Sequence, residues 1–469
     1  MLTSSAHNAI EWLTATELLQ AYRTGALSPV EATEATLRRA EALQPSLNAF
    51  CLLDPESALA QARASEARWR KGAPLGLLDG VPVSIKDIIL TKGWPTLRGS
   101  KAINPNQPWD EDGPAVARLR EHGAVLFGKT TTSEFAAKPT TSTALCGVTR
   151  NPWDTARTPG GSSGGAAASV AAGVSALALG TDAGGSIRMP ASLCGIFGFK
   201  PGGGRVAMYP PTPYATFAGF GPMTRSVTDA ALMLSAIAAP DPRDWDSLPA
   251  ETQPYHENLA ADPRAWRIAW CPSFWGLKVD PEVAAITEKA AQVFAALGAK
   301  VETVEQVCED SRPLHAQLMR GLTEYAFRGF SPEQLAMMDP DLVRNIEASR
   351  GASALDHLDA EMKRVQFARQ LNEFHQRYDL LLTPVISTVA FDATRDWPEG
   401  YQPREWCPFT APFNITRQPG ASVPCGFNSD GLPVGLHIVG PRHRDLLVLQ
   451  AAYAFEQAAP WSAHRPKLV

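Results

Sequence analysis

A stretch rich in glycine and serine, from Gly160 to Gly195, constrains the fold of this chain more than any other feature. It contains two clusters, Gly160-Gly-Ser-Ser-Gly-Gly165 and Gly180-Thr-Asp-Ala-Gly-Gly-Ser-Ile-Arg188, joined mostly by alanine, valine and leucine. Because glycine permits tight turns and positive φ, backbone N–H groups can converge there beside an exposed hydroxyl. The joining residues predict a short helix that fixes the two clusters relative to each other. A flexible linker would be surrounded by polar residues, whereas this stretch is continuous with apolar residues on both sides.

A second constraint is Lys86, which lies in a segment with the pattern of a buried strand. The residues Val81-Pro-Val-Ser-Ile-Lys-Asp-Ile-Ile-Leu90 alternate apolar and polar types around it, as in a strand that is buried on at least one face. A lysine held there would be desolvated, and desolvation lowers the pKa of a lysine because it disfavours the ammonium form. The segment therefore predicts a buried lysine that can act as a base.

Together with Gly80-Val-Pro-Val-Ser-Ile-Lys-Asp87, the two serine clusters resemble the signature segments of the amidase signature enzymes. The match is specific, because Ser162 and Ser186 stand 24 positions apart and the lysine segment precedes them. The resemblance implies a Ser-cisSer-Lys triad of Lys86, Ser162 and Ser186. It also implies an α/β fold, with a mixed β-sheet core covered by α-helices on both faces.

The chain is expected to fold as one large domain. No linker rich in proline, serine or charge divides its 469 residues, and the resemblance covers nearly all of them, most weakly between about 305 and 375. We expect N-terminal helices over residues 12–72, a signature core over about 80–230 and a variable, substrate-side region over about 305–410.

Ser186 is the predicted nucleophile. Amide hydrolysis needs an activated nucleophile, a stabilised oxyanion and a proton donor for the leaving amine. Lys86, in its neutral form, is the predicted general base, and Ser162 is expected to relay the proton between Lys86 and Ser186. An acyl-enzyme on Ser186 then reacts with water. The oxyanion hole is expected to consist of consecutive backbone N–H groups, those of Ala183, Gly184, Gly185 and Ser186.

Three further residues are expected to support this site: Ser163, Asp182 and Arg188. Asp182 and Arg188 resemble positions that brace the oxyanion hole in the family, and a plain ion pair is the alternative. Ser163 is expected to contribute hydrogen bonds near the triad.

Loops rich in aromatic residues and proline favour an apolar or aryl amide as the substrate. They cover residues 208–214 and 397–406. Carbamates, including urethanes, and esters need the same triad and stay open as substrates. Ordinary surface loops with buried aromatic anchors are an equally good interpretation. The residues assigned to the substrate pocket are Cys146, Tyr209, Tyr214, Phe217 and Cys407.

Two short patterns point to other enzyme classes, but their contexts do not fit. Gly161-Ser-Ser-Gly-Gly165 matches the nucleophile elbow of α/β-hydrolases, in which Ser163 would be the nucleophile. The elbow must follow a buried strand, whereas the residues before it are polar and end at Pro159. Gly123-Ala-Val-Leu-Phe-Gly-Lys-Thr130 matches the Walker A pattern, but its central residues form a strand-like run and not a loop. Lys129 is therefore expected at the end of a strand.

A more serious alternative lies inside the same family. The glutamine-hydrolysing A-type subunits of tRNA-dependent amidotransferases, which work only in a complex, resemble this chain around residues 409–419. They usually have an acid three residues before the threonine to hold the ammonium group of the substrate, and here Cys407 takes that position, three before Thr410. Arg417 stands where the family mostly has glycine. The missing acid favours a self-sufficient hydrolase.

Composition limits the cell compartment and the binding partners that fit this chain. A net charge of −5 gives no basic surface for nucleic acid, and the longest apolar run, 164–180, is too rich in alanine, glycine and serine to span a membrane. Seven scattered cysteines, without a Cys-x-x-Cys pair, fit a reducing cytoplasm without disulfides or zinc. Residues 1–8 lack the pattern of a signal peptide. We expect a cytoplasmic hydrolase of a small amide or carbamate, without cofactor or metal, and a homodimer as a family tendency.

Overall fold

An eleven-stranded β-sheet lies at the centre of the computed structural model, which describes residues 7–468. The prediction that residues 1–8 lack a signal peptide depends partly on residues 1–6, and these residues lie outside the described part of the chain. A separate two-stranded hairpin, β4–β5, accompanies the sheet. The strands are β1 (Phe50–Leu53), β2 (Pro82–Lys86), β3 (Val125–Thr130), β4 (Ser142–Thr143), β5 (Gly147–Val148), β6 (Leu177–Asp182), β7 (Phe197–Lys200), β8 (Gly219–Thr224), β9 (Arg267–Trp270), β10 (Lys300–Thr303), β11 (Leu380–Pro384), β12 (Gly420–Phe427) and β13 (Pro433–Val439).

The sheet is mixed, as the sequence predicts. Its strand order is β1-β3-β2-β6-β8-β7-β12-β13-β11-β9-β10. Strands β3, β2 and β6 run parallel to one another, as do β11, β9 and β10, and antiparallel pairs connect these two parallel groups through the middle of the sheet. The middle of the sheet therefore includes β12 and β13, the last two strands of the chain.

Helices cover both faces of the sheet. Within the described residues they are α1 (Ala15–Thr24), α2 (Pro29–Leu47), α3 (Pro55–Arg70), α4 (Pro114–Glu121), α5 (Gly164–Ala171), α6 (Arg188–Cys194), α7 (Val227–Ile237), α8 (Pro281–Ala296), α9 (Arg312–Phe327), α10 (Pro332–Leu335), α11 (Pro340–Ser349), α12 (Ala354–Arg377), α13 (Pro412–Ile415) and α14 (Asp445–Ala458). Four short 3-10 helices complete this part of the chain, His7–Trp12, Glu134–Ala136, Tyr255–Glu257 and Pro263–Ala265. None of the helices between residues 7 and 468 combines the length and the hydropathy of a membrane-spanning segment.

The N-terminal region is helical, with one exception. Ser28 caps α2 in a capping box with Glu31, whose side chain accepts from the Ser28 N–H at 2.8 Å. The exception is β1, which interrupts the predicted run of helices and pairs with β3 at the edge of the sheet. A strand of four residues gives too weak a pattern to be distinguished from the end of a helix.

The segment that joins the two serine clusters is only half a helix. Helix α5 ends at Ala171, and the chain then enters the sheet as β6, which delivers Asp182 to the site. The prediction of one helix over this segment is therefore wrong at its second half, because a short run of Ala and Leu has no periodicity that separates a buried strand from a helix. Helix α5 packs closely on its surroundings, since a Cβ on Gly165 would collide with the backbone of Thr131.

Candidate active site

Lys86, the last residue of β2, is fully buried and points into a group of hydroxyls. Its Nζ lies 2.7 Å from Ser162 Oγ and 2.8 Å from Ser163 Oγ. It also lies 2.8 Å from Thr181 Oγ1 and 3.4 Å from the Thr181 carbonyl oxygen. Burial lowers the pKa of Lys86 well below its ordinary value, although the carboxylate of Asp182 opposes this shift. The geometry thus places an amine with a lowered pKa beside two serines.

The hydrogen-bonding groups around Lys86 suit a neutral amine, which offers two N–H donors and one lone pair. The Ser163 hydroxyl donates to the Thr181 carbonyl at 3.1 Å, so its oxygen is left to accept from Lys86. Thr181 Oγ1 accepts the second N–H. The lone pair of Lys86 then faces the Ser162 hydroxyl. Thr181 was missed by sequence reasoning, although it stands beside Asp182 within the second cluster.

The loop that precedes the β4–β5 hairpin fixes the position of the Ser162 segment. The peptide bond between Gly161 and Ser162 is cis, as the family resemblance implies. The Thr141 hydroxyl donates to the Gly160 carbonyl at 2.8 Å and accepts the Gly164 N–H at 3.2 Å. Thr141 therefore fixes the chain on both sides of Ser162.

Ser186 is partly exposed. The Ser163 N–H donates to the Ser186 carbonyl oxygen at 3.2 Å, which connects the two serine clusters through the backbone. Within residues 7–468 no side chain or backbone group hydrogen-bonds to the Ser186 hydroxyl. The structure thus brings Lys86, Ser162 and Ser163 into direct contact and places Ser186 beside them with a free hydroxyl.

The N–H groups of the Asp182–Ser186 loop are not equivalent. The Gly185 N–H donates to Asp182 Oδ1 at 2.7 Å, so it is not free to receive an oxyanion, and its assignment to the oxyanion hole needs correction. The N–H groups of Ala183, Gly184 and Ser186 have no acceptor among the described residues. These three remain available to a substrate oxygen. Sequence reasoning counted donors but had no means of seeing that one was already used.

A buried ion pair braces this loop. Asp182 and Arg188 are both fully buried and form a bidentate contact, with Nε–Oδ2 and Nη2–Oδ1 distances of 2.9 Å. Burial alone would raise the pKa of Asp182, but the Arg188 guanidinium overrides it and holds that pKa below its usual range. Asp182 also accepts the Ile187 N–H at 3.2 Å. The pair is therefore part of the loop and not an isolated surface bridge.

Residues from the end of the chain complete this brace. Arg188 Nη2 donates to Asn414 Oδ1 at 2.6 Å, and Asn414 Nδ2 donates to Asp182 Oδ1 at 2.9 Å. The Thr410 hydroxyl donates to the Gly184 carbonyl at 2.7 Å. Burial and the nearby Arg188 lower the pKa of His437 well below its ordinary value, so its neutral ring accepts from Arg188 Nη1 at 3.0 Å. Sequence reasoning missed these partners.

The two competing motifs have structural roles. Ser163 contacts Lys86 and Thr181, and His437 is bonded to Arg188, so the arrangement of an α/β-hydrolase triad is not formed by these residues. Lys129 is buried in β3, as predicted, where its Nζ lies 3.4 Å from Asp87 Oδ1 and donates to Thr96 Oγ1. This lysine holds a neighbouring loop and is not exposed to a phosphate.

The residues predicted to line the substrate pocket do not form one group. Cys146 lies in the turn of the β4–β5 hairpin, where its carbonyl accepts from Asn48 Nδ2. The Arg243 guanidinium stacks on the Tyr209 ring at 4.8 Å. The Tyr214 hydroxyl lies 3.2 Å from that of Thr323 on α9. The grouping was drawn from composition, which does not say where a loop folds back.

Phe217 and Cys407 lie closer to the brace. The Phe217 carbonyl accepts from Asn414 Nδ2 at 3.0 Å, while its ring is buried beneath the Arg364 guanidinium. Cys407 is half-buried, with its thiol 3.7 Å from the Arg404 carbonyl. Burial raises the pKa of Cys407 to about 12, so it carries no charge at neutral pH.

A cavity of about 110 Å³ lies near Thr140, and its lining does not include Lys86, Ser162 or Ser186. The Thr140 hydroxyl donates to Asp396 Oδ1 at 2.8 Å, and Asp396 lines the cavity. The backbone of Thr140 packs so closely on Gly161 that a Cβ on this glycine would collide with it. Sequence reasoning missed the cavity because its walls come from four separate segments. Its charged lining residues are Glu134, Lys138, Asp339, Asp341, Asp396 and Arg404.

Comparisons with known proteins place these features in a family. The family model described as Amidase matches residues 31–449. The chain is 38% identical to the A-type subunit of a glutamyl-tRNA(Gln) amidotransferase from Cyanothece sp., across 94% of this chain and 97% of that one. It is also 38% identical to the corresponding amidotransferase subunit from Chloroflexus aggregans, across 98% and 99% of the two chains.

Solved structures agree on the fold. A bacterial aryl acylamidase of the amidase signature family superposes with a TM-score of 0.89, at 32% identity over 96% of this chain and 97% of that chain. A 6-aminohexanoate cyclic dimer hydrolase superposes with a TM-score of 0.87, at 30% identity over 97% and 99%. The predicted α/β fold and family resemblance are thereby confirmed, and an amidohydrolase is the enzyme class that they support.

Two predictions are contradicted by the relatives. The main prediction, a self-sufficient hydrolase of apolar or aryl amides, is wrong, because relatives 38% identical over nearly the whole chain are subunits of an amidotransferase. The same relatives contradict the predicted partners, a small amide or carbamate without nucleic acid and with a possible homodimer. Cleavage of carbamates or urethanes receives no support from the family or its relatives.

Proposed function

Because this chain belongs to the amidase family, we propose that it is the glutamine-hydrolysing A-type subunit of a tRNA-dependent amidotransferase. Its substrate is the side-chain carboxamide of glutamine, a linear amide, and its product is ammonia for Glu-tRNA(Gln) held elsewhere in the complex. The observation that carries this proposal is the 38% identity to a subunit of that type across 94% of this chain. The seven free cysteines support a cytoplasmic location.

The proposed reaction begins with proton transfer toward Lys86. Ser186 Oγ attacks the carboxamide carbon and passes its proton to Ser162, which passes its own to neutral Lys86 over the 2.7 Å contact. The oxyanion receives the N–H groups of Ala183, Gly184 and Ser186. The same relay in reverse protonates the leaving nitrogen, ammonia departs, and water hydrolyses the ester on Ser186.

The outer face of α12 supports a role in a complex. Leu355, Leu358, Met362 and Val365 are between 56% and 77% exposed on this helix, with the spacing of a coiled-coil seam. Exposed apolar stripes of this kind are unusual on proteins that act alone. The occupant that fits is an amphipathic helix from another protein of the complex. Alongside the seam, Asp356 and Asp359 precede Lys363 and Arg369, so that partner helix needs basic residues at one end and acidic residues at the other.

The proposal is tested by putting this chain in place of its counterpart in the Cyanothece sp. amidotransferase. We expect release of ammonia from glutamine and formation of Gln-tRNA(Gln) with the wild-type chain, and neither with Ser186→Ala. Ser46→Ala, at an exposed serine of α2, is the matched control and should behave as the wild type. Release of 4-nitroaniline from a small anilide, without glutaminase activity alone or in the complex, would overturn the proposal.

A further inference from the structure

Thr410, near the end of the chain, contacts the loop that carries the predicted oxyanion hole. This oxyanion loop comprises residues 182–186. Thr410 is fully buried, and its hydroxyl donates to the Gly184 carbonyl at 2.7 Å. Among the described residues, 7–468, no other group donates to this carbonyl. The hydroxyl of Thr410 therefore determines where the Gly184 carbonyl points.

The two polar groups of one peptide unit in this loop are held from opposite sides. The Gly184 carbonyl bonds to Thr410, and the N–H of the same peptide, which belongs to Gly185, donates to Asp182 Oδ1 at 2.7 Å. The C=O and N–H groups of a trans peptide point in opposite directions. The two hydrogen bonds together thus fix the rotation of this peptide about the line that joins its Cα atoms.

The oxyanion loop has a packed side and an open side. Gly185 is buried, and a Cβ added to it would collide with the Thr410 side chain. A Cβ added to Gly184 would instead meet no atom within 4 Å beyond its chain neighbours. Ala183, Gly184 and Ser186, whose N–H groups have no acceptor among the described residues, are each partly exposed. The open side, at Gly184, is where a substrate oxygen has access to the loop.

Glycine at both ends of the peptide makes these two hydrogen bonds necessary. Gly185 has a φ of 127°, which residues with a Cβ rarely adopt. Because neither glycine has a Cβ, the peptide can rotate at little cost once its hydrogen bonds are lost. A rotated peptide would turn the Gly184 carbonyl oxygen away from Thr410 and toward the open side of the loop. There its partial negative charge would oppose the binding of an oxyanion.

Thr410 is itself held by the buried ion pair. Arg188 Nη1 donates to the Thr410 carbonyl at 3.1 Å, and the same guanidinium forms the bidentate contact with Asp182. Asp182 and Thr410, which bond to the two polar groups of the peptide, are thus connected through one side chain. This connection fixes the positions of the two anchoring residues relative to each other.

We propose that Thr410 is a positioning residue for the oxyanion hole. This role rests on the proposed function, in which Ser186 is the nucleophile and the loop receives the oxyanion. Thr410 acts through the Gly184 carbonyl, which its hydroxyl holds away from the substrate oxygen, so that the free N–H groups of the loop receive the negative charge unopposed. Because this charge develops only in the transition state, loss of the hydroxyl lowers kcat and leaves KM nearly unchanged.

The experiment measures the rate at which a fluorophosphonate labels Ser186 in the purified full chain. Ser186 Oγ bonds to phosphorus, fluoride leaves, and the serine proton passes through Ser162 to Lys86. The phosphoryl oxygen of the reagent takes the place of the oxyanion. We expect labelling of Thr410→Val to be slower by about tenfold or more. Thr410→Ser, which keeps the hydroxyl, should retain most of the wild-type rate.

Thr287→Val is the matched control. Thr287, on α8, is fully buried as Thr410 is, and its hydroxyl donates to the Val283 carbonyl at the same distance, 2.7 Å. A purely structural role of both hydroxyls predicts similar losses of stability in urea unfolding and an unchanged labelling rate. Thr410→Ala removes the hydroxyl without placing a methyl group against the Gly184 carbonyl. It should show the same slow labelling and keeps the test decisive if Thr410→Val does not fold.

Glutamine kinetics in the Cyanothece sp. complex separate the role of Thr410 from the proposed function. There Thr410→Val should lower kcat by about tenfold or more, with little change in KM. Normal labelling of Ser186 without hydrolysis of glutamine would overturn the proposed substrate, and the labelling rates would still decide the role of Thr410. Equal labelling of Thr410→Val and the wild type, an equally large loss in Thr410→Ser, or no labelling of Ser186 in the wild type would overturn the role proposed for Thr410.

Discussion

The amine of Lys86 lies 2.7 Å from the hydroxyl of Ser162, and both side chains are fully shielded from solvent. Within residues 7–468 no carboxylate forms a salt bridge with the amine, so the charged form of this lysine has lost its hydration and has only neutral oxygens around it. In this setting a lysine is suited to act as a base.

Lys86→Met should abolish glutamine hydrolysis, with a loss on the order of a thousandfold or more, because no other group can accept the proton from Ser162. Lys86→Arg should fail equally, since a guanidinium stays protonated. The measurement is ammonia release at saturating glutamine, with folding checked by circular dichroism. Activity in either variant within tenfold of the wild type would contradict the assignment of the base.

The same residue predicts how stability depends on pH. The pKa of Lys86 is lowered in the folded chain from 10.5 in the unfolded one, so between these values the unfolded chain binds one more proton. The free energy of unfolding of the wild type should therefore rise with pH in this window, relative to Lys86→Met, by about 1.4 kcal/mol per pH unit. Above the unfolded value the difference becomes constant. Denaturant titrations at several pH values measure the free energy of unfolding of both proteins. If its dependence on pH were the same for the wild type and Lys86→Met, Lys86 would be charged in the folded chain.

Thr181→Val should lower kcat by about 10- to 100-fold while KM changes little, because the lost hydroxyl positions Lys86 and does not contact the substrate. Thr181→Ser keeps the oxygen and should retain most of the activity. The comparison needs full kinetics for both variants. A rise in KM with unchanged kcat would place Thr181 at the substrate instead.

Arg188→Met should destabilise the fold by about 3–5 kcal/mol, because it leaves the buried Asp182 carboxylate without its partner. Arg188→Lys should recover only part of the lost stability, since an ammonium cannot form the bidentate contact. Arg369→Ala breaks an exposed pair with Glu373 and serves as the control with little change. Equal effects at the buried and exposed pairs in urea unfolding would argue against the brace.

Met362→Lys should weaken assembly with the other proteins of the complex by at least tenfold, because it places a charge in the middle of the apolar seam on α12. Gln366→Lys adds the same charge beside the seam and is the control. Binding is measured with the remaining components of the Cyanothece sp. enzyme. Unchanged binding in Met362→Lys, with the chain still folded, would remove this face from the interface.

Much of the fold and the centre of the site could be predicted from local patterns. Lys86 stands in a strand with clear alternation, and the spacing of Ser162 and Ser186 is specific to one family. What the patterns could not give is which groups already have partners. The Gly185 N–H looks available in the sequence, but it is bonded to an Asp182 oxygen that a turn brings back onto it.

Contacts between residues that are far apart in the sequence could not be predicted either. Asn414 and His437 contact Arg188 only because the last strands return to the middle of the sheet. The functional prediction failed because it rested on one position, Cys407, whereas relatives that are 38% identical over nearly the whole chain are amidotransferase subunits.

The position of β12 and β13 has a consequence for synthesis of the protein. The strands before β9 form one half of the sheet and β9, β10 and β11 the other, and β12 and β13 join them. A ribosome releases these joining strands after the other strands of the sheet, following Pro384, so the two halves of a nascent chain face each other with open edges until residue 439 has emerged. Arg188 lacks Asn414 and His437 until then. The enzyme therefore becomes competent only after residue 439 has emerged, and a product truncated before Asn414 has Lys86, Ser162 and Ser186 without the residues that brace the neighbouring loop.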